Sequence, residues 1–119
     1  MFEIKELGLA LAHVGINCAN DEEAMNGAEA FTSILGEPIK NGLSSVFAGK
    51  SIELMKKPFL GRHGHLAFMT DDIDLAIKAY TEKGYEFDQS TIKRDAEGRI
   101  KAIYFKDEIC GFAIHLIGK

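Results

Sequence analysis

The chain has 119 residues, 46% hydrophobic and 27% charged, the make-up of a soluble globular protein with one core. Its formal net charge of −4 comes without a basic stripe, which argues against nucleic acid as a partner. No apolar run approaches the roughly 20 residues of a membrane span, so a cytoplasmic protein with neither membrane nor nucleic-acid partner is expected.

The opening MFEIKELGLALAHVG carries Glu3 and Glu6 and lacks a basic start, so it does not read as a secretory leader. LAHVGIN (11–17) reads as a strand. Cys18 and Cys110 stand apart with no CxxC spacing and read as free thiols. Asn20 is a helix cap with Glu23 three residues on, and Ala24, Ala28, Phe31 and Leu35 follow at helical spacing until Gly36. GLSSVFAG (42–49) and KSIELMK (51–56, with Lys50) then read as strands about a turn at Gly49-Lys50. KKPFLGRHG (56–64) is a connection marked by Pro58 and Gly61.

The second half repeats the order. GHLAFMT (64–70) is a strand, and Asp71 or Asp72 caps a helix whose stripe is Ile73, Ala76, Ile77 and Tyr80, ending at Gly84. STIKRD (90–95) and RIKAIYFK (99–106) form a hairpin, and GFAIHLIG (111–118) closes the chain. Two βαβββ modules, about 9–56 and 64–118, therefore make one α+β domain over 1–119. The expectation is a single curved open sheet, a cup, with both helices on its outer face.

Side chains alternate faces along a strand. His13, Glu53, His65 and His115 each sit in a strand with aliphatic neighbours on the opposite face. IEL (52–54) ends one module and IHL (114–116) the other, so Glu53 and His115 correspond. An isolated histidine in such a strand reads as a core residue; three at matching points of a repeat read as a site. A buried carboxylate needs a partner or a metal, and imidazole with carboxylate suits Zn, Ni, Co, Mn or Fe. His63 lies in the connection and is a secondary candidate.

HVGIN, IELM, GHLAF and IHLI resemble the vicinal oxygen chelate (VOC) superfamily of glyoxalase I and bleomycin-resistance proteins, over essentially residues 9–117. The resemblance implies a βαβββ cup, usually a homodimer, with a divalent transition metal held by His13, Glu53, His65 and His115. More loosely, HVGINCAN, FAGKSIELMK, GRHGHLAF and KAIYFKDEICGFAIHL are similar to VOC domains that accompany 2-keto-3-deoxy-6-phosphogluconate aldolases. The aldolase reaction itself is not expected, since it needs a lysine in a barrel longer than this chain.

The function implied is a metal-dependent isomerase, epimerase or lyase acting on a small 2-oxo or 2-hydroxy acid that chelates through adjacent oxygens. Glu53 is then the catalytic carboxylate, and the family's usual last-position glutamate is replaced here by His115, which argues against glyoxalase I activity. Lys57 and Arg62 at the mouth and Tyr104 in the wall are candidate substrate-binding residues, with Lys56 beside them. Arg94, Arg99 and Lys101 mark the longer second hairpin as either a lid or a charged edge. The alternatives are a non-catalytic ligand-binding or auxiliary module tied to sugar-acid aldolase metabolism, and, third, an iron-dependent dioxygenase.

Overall fold

The structure, a computed structural model, describes residues 3–119. After a short 3-10 helix at Ile4–Leu7 come β1 (Ala10–Asn17), α1 (Asp21–Leu35), β2 (Ile39–Asn41), β3 (Ser45–Ala48) and β4 (Ile52–Met55). The second module is β5 (Gly64–Thr70), α2 (Ile73–Glu82), β6 (Phe87–Arg94), β7 (Ile100–Phe105) and β8 (Phe112–Gly118). The strands form one eight-stranded curved sheet in the order β2-β3-β4-β1-β5-β8-β7-β6. That order is symmetric about its centre: exchanging β1 with β5 also exchanges β4 with β8, β3 with β7 and β2 with β6.

Both helices start where the sequence places their caps. Asn20 Oδ1 accepts from the Glu23 amide at 2.8 Å, while Glu23 Oε1 reaches back to the Ala19 amide, one residue before the usual capping-box donor. Asp72, rather than Asp71, caps α2 by accepting from the Leu75 amide at 3.1 Å. Gly36 ends α1 at φ 72°, and its amide donates to Thr32.

Each helix packs on its own half of the outer face. Ala24 and Ala28 of α1 meet Val46, Ala48 and Leu54, flanked by Ile16 and Ile52. Ile73 and Ala76 of α2 meet Ile103 and Leu116, with Leu7 of the 3-10 helix completing that cluster. Alternation leaves the opposite, inner face to the polar residues. Among the described residues no helix is long and apolar enough to cross a membrane.

Two strands depart from the sequence pattern. β2 goes unannounced because only Ile39 of its three residues is apolar; its pairing with β3 makes it a strand. β6 begins at Phe87, ahead of the expected Ser90, because Phe87 joins the α2 cluster. Arg94, the last residue of β6, and Arg99, just before β7, bind the turn between them: Arg94 Nη1 donates to the Gly98 carbonyl, and Arg99 pairs with Asp95 and Glu97.

The Asn17 side chain, with backbone bonds from Asn17 to His63 and from His63 to Gly111, holds the connection between modules. Asn17 Nδ2 donates to the carbonyls of Phe59 and Gly61 at 3.1 and 2.9 Å, and its Oδ1 accepts from the Phe59 amide. Asn17→Ala should cost about 1–3 kcal/mol, measured by denaturant unfolding. Amide exchange at Phe59 should accelerate in the same variant.

Candidate metal centre

Strand register, rather than sequence proximity, assembles the site. Two rows of paired residues cross the inner face. One reads Phe47, Glu53, Gly15, His65, Ala113; the other reads His13, Ala67, His115, Tyr104, Asp88. Gly15 pairs with Glu53 in the parallel β1–β4 ladder, and Ala67 pairs with His115 in the parallel β5–β8 ladder. The modules therefore superpose His13 on His65, Gly15 on Ala67, and Glu53 on His115. The same register matches Phe47 with Tyr104 rather than with Phe105. Phe105 packs in the α2 cluster.

Three of the four expected ligands converge. Glu53 Oε1 lies 3.2 Å from His13 Nε2 and 3.1 Å from His65 Nε2, and the two Nε2 atoms are 3.3 Å apart. Donors about 2.0–2.2 Å from a common ion lie at about this separation from one another, so the set fits a transition metal. The side chains of His13 and Glu53 are each 15% exposed and that of His65 is 4% exposed. Phe47 stands edge-on to His13, with ring centres 5.4 Å apart.

His115 lies on the same face but outside this group of three. Its ring centre is 6.1 Å from that of His65, and it stacks on Tyr104 at 4.1 Å with the planes 2° apart. Nδ1 of His65 and Nδ1 of His115 are both buried without a hydrogen-bond partner. An unpaired buried nitrogen costs about 1–3 kcal/mol, so neither ring is placed there by packing alone.

Two contributors went unseen in the sequence. Ser45 Oγ donates to Glu53 Oε2 at 2.7 Å, and Gly15 lies directly beneath the His65 ring. Nothing local marks either one: both are small residues whose role follows from the neighbouring strand. Tyr104 is buried in the wall of the cup, with Phe59 of the connection set edge-on to it at 6.2 Å. Lys57 and Arg62 are exposed in the connection, and Arg62 lies against Gly111. His63 packs against Phe112 and Gly111, at the start of β8. The larger cleft, about 710 Å³, lies on the other side of the sheet beneath α2, lined by Phe68, Tyr80, Phe105, Ile114 and Leu116. Those are residues of the helix-covered face, so the sheet separates it from the cluster. Both cysteines are free.

The cluster is electrostatically asymmetric. Burial opposes the charge on Glu53, but hydrogen bonding to His13, His65 and Ser45 outweighs it and holds the carboxyl well below the usual range. Burial pushes the Tyr104 hydroxyl up to about 12, with the Glu53 charge adding to it, so it stays a hydrogen-bond donor. Burial lowers His115 to about 4, assisted by the positive fields of His65, His13 and Lys93 and opposed by Glu53.

A histidine whose folded value lies below its unfolded value of about 6.5 leaves the unfolded chain binding more protons in between. The metal-free protein should therefore lose stability as pH falls from about 6.5 to about 4. Replacing His115 by Gln should flatten that slope in denaturant melts taken across the interval; an unchanged slope would place the linkage elsewhere.

No protein-family model matches the sequence, and no curated protein is similar enough in sequence to match it. Solved structures do. Methylmalonyl-CoA epimerase from Mycobacterium tuberculosis superposes with a TM-score of 0.65 at 19% identity, over 99% of this chain and 92% of that one. Streptomyces coelicolor methylmalonyl-CoA epimerase, in complex with 2-nitronate-propionyl-CoA, gives 0.61 at 17% identity over 92% and 96%. A hypothetical protein from Bacillus halodurans gives 0.62 at 17% identity over 93% and 94%. Paired βαβββ modules in one open sheet, and these neighbours along nearly the whole chain, give this protein the fold of the vicinal oxygen chelate superfamily.

Proposed function

We propose that the protein is a metal-dependent epimerase or a related isomerase or lyase, acting on a small acid or acyl thioester that chelates through neighbouring oxygens. The observation that carries this reading is the convergence of His13 Nε2, His65 Nε2 and Glu53 Oε1 within 3.3 Å on the inner face. The fold neighbours point the same way, since several are named methylmalonyl-CoA epimerases and one is in complex with methylmalonyl-CoA.

In this reading His13, Glu53 and His65 hold a divalent metal, and His115 approaches it from the second module as the fourth ligand. The metal would supply Lewis acidity toward a substrate carbonyl. The protein's own groups do the rest. Glu53 is the proposed proton acceptor, through Oε2; release of that oxygen by the Ser45 hydroxyl removes one of the hydrogen bonds that depress its basicity. Tyr104, protonated at all ordinary pH values, donates to a substrate oxygen. Lys57 and Arg62 attract the acidic end of the substrate from the mouth of the cup. A homodimer and a cytoplasmic setting remain part of the proposal.

Metal binding is the first test. Purified without an affinity tag, the protein should take up one Co(II) or Zn(II) per chain. His65→Ala should abolish that stoichiometry while circular dichroism shows the fold retained, and His115→Ala should bind more weakly without losing the site. Ser45→Ala should weaken affinity about 10-fold, the usual scale for a group that orients a ligand. Catalysis is then read by NMR in D₂O across 2-oxo acids, 2-hydroxy acids and acyl-CoA thioesters. Metal-dependent exchange of the proton α to a carbonyl, lost in Glu53→Gln, is the expected result. Tight ligand binding without exchange in any compound would instead mark a non-catalytic module.

A further inference from the structure

The two modules place equivalent strands on equivalent registers, yet the cluster forms on one side only. His13, Glu53 and His65 meet, while the two-fold-related group of His65, His115 and His13 does not. Something in the pair of half-sites must break the symmetry, and the register narrows the search to a few positions.

At the centre of the sheet Gly15 has two neighbours, Glu53 on β4 and His65 on β5. For the His65 imidazole to reach Glu53 it must pass over β1 at Gly15. It does so closely: a Cβ built on Gly15 would stand 2.0 Å from His65 Cε1, 2.4 Å from Nδ1 and 2.5 Å from Nε2. No rotation of an alanine methyl relieves this, because three atoms of one rigid ring occupy the space. The backbone at Gly15 is ordinary strand, so its glycine is explained by space and not by φ.

Ala67 occupies the corresponding point of the second module, between His13 on β1 and His115 on β8. Its methyl group fills, with no exposed surface, the place that Gly15 leaves empty. The His13 ring turns the other way, edge-on to Phe47 and toward Glu53. Ser45 has its own counterpart in Ala102, so His115 also lacks the hydroxyl that steadies Glu53.

From this we infer that Gly15 is a positioning residue of the metal centre. By lacking a side chain it lets His65 cross β1 onto Glu53, and together with Glu53 and Ser45 it sets which of two duplicated half-sites is preformed. The inference rests on the metal reading above and extends it to a residue that touches neither ion nor substrate.

The test is a cycle of Gly15→Ala, His65→Ala and the double variant, with Co(II) binding and thermal unfolding measured on each. Gly15→Ala alone should weaken Co(II) at least 100-fold, change the visible d–d spectrum of any ion still bound, and lower Tm by several degrees. In the His65→Ala background, where the ring is gone, the same substitution should leave Tm unchanged within about one degree. That arm stays readable even if Gly15→Ala by itself folds poorly. A parent-like Co(II) affinity and spectrum in Gly15→Ala, or an equal Tm loss in both backgrounds, overturns the inference. A parent chain that binds no Co(II) overturns the metal reading and with it the role of Gly15 there. The metal-free stability cycle then separately reports whether Gly15 accommodates His65.

Discussion

The antiparallel pairing of β1 with β5 joins the two modules, and its register determines what the inner face can hold. It sets Gly15 opposite His65 and His13 opposite Ala67. The parallel ladders to β4 and β8 then extend each pair outward by one strand, to Glu53 and to His115. Because successive side chains alternate faces, a slip of one residue in this pairing would carry His13 or His65 to the helix side. The helix clusters oppose such a slip: Ile16 and Leu54 pack under α1, and Phe68 and Leu116 under α2. Core packing on one face thus maintains site geometry on the other.

Desolvation is the cost that this geometry carries. A carboxylate removed from most of its water loses several kcal/mol unless it is paired. Glu53 is paired three ways, with both histidines sharing Oε1 and Ser45 on Oε2. The imidazoles are less well served, each of His65 and His115 having a buried nitrogen without a partner. Both unpartnered nitrogens lie on the inner face, whereas the Glu53 carboxylate beside them is fully paired. The stacked pair of His115 and Tyr104 extends the polar wall from the cluster toward the β6–β7 hairpin.

Duplication gave two half-sites one framework, and substitution made them different. Glu53 answers to His115, Gly15 to Ala67, Ser45 to Ala102 and Phe47 to Tyr104. One half holds the carboxylate, its hydroxyl donor and the gap that admits a neighbour's ring. The other holds a stacked imidazole and phenol. The result is a nearly two-fold sheet with a one-sided centre, in which the half holding the His13–Glu53–His65 cluster faces a wall of stacked His115 and Tyr104.

Much of this was legible in the residues. Hydrophobic alternation, the caps at Asn20 and at Asp71 or Asp72, and the stops near Gly36 and Gly84 mark the elements, because those are local effects of backbone sterics and hydrogen bonding. The correspondence of IEL with IHL marks Glu53 and His115 as equivalent, since a repeat is visible without coordinates. What the sequence alone determined, then, was two modules, their inner and outer faces and the residue types on each. Only the tertiary structure decided that three of four candidates meet, that Ser45 bonds Glu53 and Gly15 lies under the His65 ring, and that Phe47 matches Tyr104. Those facts depend on the pairing of strands distant in the chain, and register between such strands is set by packing of the whole sheet against its helices.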